Sequence, residues 1–186
     1  MQAIDALIQR HSARALTAPP PDEGALELIF ASAAAAPDHG RLRPWRFIVI
    51  QGNALERFGD LLADQLRRAH PSSTEESLQR ERQKARRAPM ILVVAAICTP
   101  GGKIPVIEQI LAAGAAAQNV MLAALALGFN SMWKTGAPAY DEQVKTALGI
   151  EAKDAIVGFM YVGTDASKPD TPPRPDWHDL VRHWEG

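Results

Sequence analysis

The chain has 186 residues, with 20 Lys and Arg against 21 Asp and Glu and a formal net charge of -1. That length suits one domain, residues 1–186, with a substantial core, and near-neutrality removes any general attraction to nucleic acid or an anionic membrane. The single cysteine, Cys98, lies at the end of an apolar run and has no partner for a disulfide, so it reads as a small buried hydrophobe in a reducing, cytoplasmic setting.

The opening residues, MQAIDALIQRHSAR, mix acids and bases and lack an apolar signal core, so export is not expected. Ile4, Leu7 and Ile8 share one face of a first helix ending near Arg10, and Arg10, Ser12 and Arg14 crowd the turn beyond it. After a proline-marked turn, Asp22 can cap a second helix that turns Leu26, Ile29, Phe30 and Ala33 inward. This helix leads into the loop Pro37-Asp38-His39-Gly40-Arg41-Leu42-Arg43-Pro44. Pro37 is expected to stop the helix and Pro44 to hold Arg43 extended, leaving a stiff, donor-rich loop before a first strand at Arg46 to Gln51.

Asn53 is a candidate cap for a third helix, with Leu55, Phe58, Leu61, Leu62 and Leu66 at helical spacing. Ser73 and Glu76 form a capping-box pattern ahead of a charged segment reaching Arg87. Its basic end, Arg82, Lys84, Arg86 and Arg87, offers a nucleic-acid reading, but no aromatics interleave for base stacking and Glu81 interrupts it. Met90 to Cys98 is continuously apolar, the pattern of a strand covered on both faces and expected at the centre of the sheet.

The loop Thr99 to Lys103 lacks the full spacing of a phosphate cradle. Ile104 to Phe129 reads as a long Ala-rich helix, broken as a membrane span by Glu108, Gln109, Gln118 and Asn119. Gly128 closes it, and a short strand, Phe129 to Lys134, leads to Trp133-Lys134-Thr135-Gly136. Asp141 caps a helix ended by Gly149, and Ala155 to Val162 forms a last strand. The proline-rich stretch from Lys168 to Pro175 reads as an extended arm, and Asp176 caps a final turn carrying Trp177, Leu180, Val181 and Trp184. Such an apolar tip on residues 168–186 suits gripping a second subunit.

The chain supplies no reactive constellation of its own. Gly-x-Ser-x-Gly, His-Glu-x-x-His and Cys-x-x-Cys are absent, and His178 and His183 fall on different helix faces, so no metal is expected. What it does supply is cations and hydroxyls at element ends: Arg10, Ser12, Arg14, Arg41, Arg43, Lys134, Thr135 and Arg174. That donor set suits a phosphate and the electron-rich edge of a heterocycle, which places the chemistry on a cofactor. Taken alone, Arg41 or Arg174 reads as an ordinary surface cation; Arg10 beside Ser12 carries the functional reading.

Four segments, in this order, together resemble the nitroreductase family: Arg10-His11-Ser12-Ala13-Arg14, Ala36-Pro37-Asp38-His39 with Pro44-Trp45-Arg46-Phe47, Trp133-Lys134-Thr135-Gly136, and Val157-Gly158-Phe159-Met160-Tyr161-Val162-Gly163. The similarity is to its small single-domain bacterial branch and covers nearly the whole chain. It implies an α+β fold with a mixed central sheet flanked by helices, an intertwined homodimer with an extended C-terminal arm, and FMN at each interface. On this resemblance Arg10, His11 and Ser12 would meet the ribityl phosphate and Arg14 the pyrimidine edge. Pro37, Asp38, His39 and Arg43 would approach from the other subunit, Trp133, Lys134 and Thr135 would complete the pocket, and Arg174 would add a phosphate contact. The implied activity is NAD(P)H-dependent reduction of nitroaromatic or quinone-like acceptors by ping-pong hydride transfer, with no protein acid or base required. A non-catalytic flavin- or nucleotide-binding protein is the alternative. The loop His39 to Arg43 is more basic than the Ser- and Asn-rich loop of larger relatives, and no lid-forming helical excursion is evident, which implies an open site for a small planar acceptor.

Overall fold

The computed structural model describes residues 2–166 and 173–186. Helices α1 (Ala3–Gln9), α2 (Glu23–Ala34), α3 (Ala54–Ala69), α4 (Glu75–Lys84), α5 (Val106–Ala126) and α6 (Glu142–Ala147) surround five strands. The strands are β1 (Leu16–Thr17), β2 (Trp45–Gln51), β3 (Met90–Ala96), β4 (Asn130–Lys134) and β5 (Ala155–Asp165). The hub is β5, which pairs with β1, β3 and β4, while β3 also pairs with β2. Each of these ladders is antiparallel. The parallel component of the expected mixed sheet is a single bridge, Ser12 to Ser131. It lies where the chain leaves α1, and the Ala13 amide donates to the Ser131 carbonyl at 3.1 Å.

Side-chain alternation along β3 builds two cores. Met90, Leu92, Val94 and Ala96 face α2 and α5, where they meet Ile29, Ala33, Ala113, Ala117 and Val120. Ile91, Val93 and Ala95 face the other way, with Phe58, Leu62, Val144 and Phe159. Every residue of β3 is buried, as the unbroken apolar run requires, and each large aliphatic side chain removed from water contributes about 1.5–3 kcal/mol. The small residues of α5 let it lie close to the sheet, and Asn119 Nδ2 ties it to the Ser32 carbonyl at 2.9 Å. Among the described residues α5 alone is long and apolar enough to cross a membrane, but its Ala face is spent on this core.

The expected caps fall as follows. Asp22, Asp141 and Asp176 each accept a backbone amide hydrogen bond at a helix start. Asn53 does not, because its own backbone is already helical and its side chain cannot turn back onto the first turn. The charged helix is capped one residue later than the capping-box pattern placed it, by Thr74, whose Oγ1 accepts from Ser77 N at 3.2 Å.

The loop before β2 also departs from expectation. Arg43 is not extended: its φ is +49°, and Arg41 is left-handed too at +57°. The cause is local, since Asp38 Oδ2 accepts the Arg43 amide at 2.5 Å while Arg46 Nη1 holds the Arg43 carbonyl at 3.1 Å. These bonds close the loop and outweigh the preference imposed by Pro44. Gly40, at φ +72°, lets the chain pass Ile104.

Several large apolar side chains remain on the surface. Ile4, Leu7 and Ile8 form the apolar face foreseen for α1, yet Ile4 is 64% exposed, as is Leu111 on α5 at 63%. Trp177 and Trp184 in the C-terminal segment are exposed as well. Most of the expected proline-rich arm, 168–172, lies outside the described residues.

Candidate functional site: a cationic cleft beside the end of β4

The end of β4 and the turn after α1 enclose a cleft of about 600 Å³ whose lining includes Ser12, Arg14, Arg87, Met132 and Lys134. Strand alternation decides which β4 side chains reach it. Met132 and Lys134 point into the cleft, and Trp133 points the opposite way. The Trp133 indole packs in the α2–α5 core and donates from Nε1 to the Val157 carbonyl at 3.1 Å. Its ring lies over Gly158, where an added Cβ would come within 2.1 Å of Nε1. In this chain, then, Trp133 secures the strand that carries Lys134, and its ring does not line the cleft.

His11 has a similar supporting place. Its ring is largely buried, with Nε2 3.3 Å from Asp165 Oδ2 and 3.0 Å from Asn130 Nδ2, while Asn130 Nδ2 donates to the same Asp165 oxygen at 2.7 Å. This cluster pins the Arg10–Arg14 turn to the starts of β4 and the end of β5. The neighbouring Ser12 and Arg14 are thereby held at the cleft mouth.

Arg10 and Arg174 are brought together across 164 positions of sequence. The Arg174 guanidinium donates to the Ile8 carbonyl at 3.0 Å and also to the Arg10 carbonyl. Burial, and then the nearby Arg174 charge, lower the Arg10 pKa from its ordinary value. The Arg174 charge, held by these backbone carbonyls and felt by the Arg10 guanidinium, makes a position that an anion would relieve.

The loop from Pro37 to Arg43 does not line the cleft of its own chain. His39 Nδ1 instead meets Glu108 Oε2 at 2.5 Å near the start of α5, on an exposed surface. The basic run from Arg82 to Arg87 divides in two. Arg82 pairs with Glu75 and Asp60, Lys84 with Glu81 and Arg86 with Glu56, so these cations are neutralised where they stand. Arg87 has no carboxylate partner among the described residues and turns into the cleft.

Sequence reading missed Arg87 because it is the last member of a run that looks like a solvated helix face. The signal available was Ala88-Pro89, which ends the helical run and makes Arg87 its last residue. Thr135 lies just beyond Lys134, on the rim of a smaller, adjoining pocket of about 260 Å³. Among the described residues no group of three or more His, Cys, Asp or Glu could hold a metal ion. Cys98 is 2% exposed, and burial raises its thiol pKa, the behaviour of a core residue.

An antiparallel sheet between helical layers, with a cation-lined cleft at one strand end, is the scaffold these residues define. Comparison with known sequences is specific about which one. The model of the nitroreductase family matches residues 7–164, and the chain belongs to that family. It is 37% identical over 171 residues to "Putative NAD(P)H nitroreductase YdjA" of Escherichia coli (strain K12), covering 92% of each chain. It is 36% identical to "Putative NAD(P)H nitroreductase" of Haemophilus influenzae, over 91% of this chain and 92% of the relative.

Solved structures agree on the fold. The nitroreductase-like family protein from Bacillus cereus superposes with a TM-score of 0.85 at 23% identity, over 100% of this chain and 97% of that one. The FMN and NADPH-dependent nitroreductase NfnB from Sphigopyxis sp. strain HMH gives 0.78 at 22% identity over the full length of both.

Proposed function

We propose that this chain is an FMN-dependent NAD(P)H oxidoreductase that reduces nitroaromatic or quinone-like acceptors by ping-pong hydride transfer, as a homodimer in the reducing cytoplasm. The observation that carries the reading is the pairing of Arg10 with Arg174 beside the cleft lined by Ser12, Arg14 and Lys134. Cations beside the cleft and along its wall match a molecule with a phosphate tail and a ring whose edge is electron-rich. Family membership and the NAD(P)H nitroreductase names of relatives above 30% identity support the same chemistry.

FMN, when bound, supplies the chemistry, accepting hydride from a reduced nicotinamide and passing it to the acceptor. The chain's own residues bind and orient. Arg10, Ser12 and Arg174 hold the phosphate, Arg14 and Lys134 place positive charge near the ring edge that becomes electron-rich on reduction, and Thr135 continues that wall. His11 and Trp133 act one step back, fixing the turn and the strand that present these groups. Pro37, Asp38, His39 and Arg43, which do not line the cleft of their own chain, reach the site of the partner subunit in this reading.

The exposed apolar side chains support the pairing of two copies. Ile4, Leu7, Ile8, Ile107, Leu111 and Trp184 are each at least half exposed, apolar surface that a second copy would cover in this reading. Anaerobic stopped-flow mixing of the FMN-loaded protein with NADH and with NADPH tests the activity. Loss of flavin absorbance within seconds is expected; an unchanged spectrum with both nucleotides would leave a non-catalytic flavin-binding protein as the correct reading.

A further inference from the structure

The loop from Pro37 to Arg43 carries two charges that its own chain does not use. Arg41 and Arg43 are exposed, and neither guanidinium has a hydrogen-bond or carboxylate partner among the described residues. The acids on the loop and on the first turn of α5 are already engaged: Asp38 Oδ2 accepts the Arg43 amide at 2.5 Å, and Glu108 Oε2 meets His39 Nδ1 at 2.5 Å. A third cation, Arg46, stands at the foot of the loop, donating from Nη1 to the Arg43 and Trp45 carbonyls at 3.1 and 2.8 Å.

Both arginines sit on backbone that disfavours them. At φ of +57° and +49° a turn is served without strain by glycine and with little by asparagine, so the turn alone does not account for arginine at positions 41 and 43. What these residues add is charge on a fixed frame. Gly40 passes Ile104 so closely that an added Cβ would stand 2.2 Å from its Cδ1. Gln109, 2% exposed, in turn holds the segment carrying Ile104, accepting the Thr99 amide at 2.9 Å and donating to the Ile104 carbonyl at 2.9 Å. The opposite case holds on α4, where Arg80 pairs with Glu76, Arg82 with Glu75 and Asp60, and Lys84 with Glu81.

Resting on the reading above, in which this loop reaches the partner's FMN site, we propose that Arg41, with Arg43 beside it in the loop, binds the 2′-phosphate of NADPH and makes NADPH the preferred electron donor. NADH and NADPH carry the same nicotinamide and differ only by a phosphate on the adenosine ribose, far from the ring that meets the flavin. Discrimination therefore falls to cations outside the ring pocket. Arg10 and Arg174 serve the FMN phosphate and Arg14 and Lys134 the ring edge in that reading, and the cations of α4 are neutralised, which leaves the loop. A guanidinium gives a phosphate a forked pair of charge-assisted hydrogen bonds that the ribose hydroxyl of NADH cannot match. Arg41 thus selects between donors and takes no part in hydride transfer.

The test titrates the FMN-loaded, full-length protein with tetrahydro-NADPH and tetrahydro-NADH, analogues that cannot give up hydride, and reads each Kd from the change in flavin absorbance without turnover. Wild-type protein is expected to favour the phosphorylated analogue by roughly tenfold to a hundredfold, the range for hydrogen bonds to a charged group. Arg41→Gln is expected to bring that ratio to about threefold or less, and Arg41→Lys, which keeps the charge without the fork, to fall between the two. Arg80→Gln, whose arginine is paired with Glu76, is expected to keep the wild-type ratio. Equal affinity of wild type for the two analogues, or an undiminished ratio in Arg41→Gln, would overturn the assignment and leave the FMN reading intact. A wild-type protein that takes up no FMN, or whose flavin responds to neither analogue, would overturn the reading beneath it. Flavin content and far-ultraviolet circular dichroism separate lost cofactor or folding from lost contact, and Arg41→Lys serves if Arg41→Gln does not fold.

Discussion

Gly158→Ala probes the contact on which the geometry of β4 depends. A Cβ at this position would stand 2.1 Å from Trp133 Nε1 and 2.7 Å from Met160 Cε. Met160 can turn aside, but the rigid indole has to move as a whole, and moving it stretches the 3.1 Å bond from Nε1 to the Val157 carbonyl. Overpacking of this kind costs about 1–3 kcal/mol and the lost hydrogen bond about 1 more, a total of roughly 2–4 kcal/mol. In a chain of 186 residues that corresponds to a fall in Tm of roughly 5–15 °C. Urea unfolding followed by circular dichroism measures it directly. In a Trp133→Leu background the added methyl group meets a smaller neighbour, so the two substitutions should show a coupling of at least about 1 kcal/mol. A loss below about 0.5 kcal/mol, or strict additivity in the double variant, would refute the idea that the bare face of Gly158 exists to seat this ring.

Removing charge from the cleft should differ from removing it elsewhere: Arg10→Ala is expected to lower the FMN content of purified protein strongly, whereas Arg82→Ala, paired with Glu75 and Asp60 on the surface, should leave it unchanged. Equal retention would show that the phosphate lies elsewhere. Asp141 accepts both the Val144 amide at 2.9 Å and Arg68 Nη2 at 2.8 Å, so Asp141→Ala should cost about 1–2 kcal/mol in urea titrations. Asp141→Asn, which keeps the cap, should cost less than half as much. The Tyr161 hydroxyl gives a pH signature in the apoprotein. Its pKa is raised from 10.0 to about 12, so above pH 10 the unfolded chain releases this proton while the folded chain keeps it. Its contribution is therefore complete below pH 10 and lost between pH 10 and about 12, and Tyr161→Phe should flatten that part of the alkaline stability curve.

Much of this architecture was legible in the residue pattern because it is set locally. The unbroken apolar run of β3, the period of α5 and the acidic caps at Asp22, Asp141 and Asp176 depend on neighbours within a few residues. What the pattern hid depends on distant parts of the chain. The two-residue strand β1 exists because β5 extends to Asp165 to receive it, and two residues carry no periodicity. Arg43 is left-handed because Asp38 reaches its amide, a side-chain bond stronger than the neighbouring proline's preference.

The site follows the same division. Of the cations foreseen at element ends, Arg14 and Lys134 line the cleft and Arg41 and Arg43 do not, because which of them turn inward depends on strand alternation and on partners supplied by other elements. Trp133 and Lys134 are adjacent in sequence and face opposite layers. Arg86 is neutralised by Glu56, whereas its neighbour Arg87 lines the cleft.

Sedimentation velocity of the FMN-loaded protein, recorded at once in the protein band and in the visible flavin band, tests the central claim most directly. Flavin absorbance is expected to travel with a species of two chains at one flavin per chain. Flavin that remains unsedimented, or that travels with a single chain, would contradict a cofactor held by the Arg10 cleft of one subunit and closed over by the Pro37–Arg43 loop of the other.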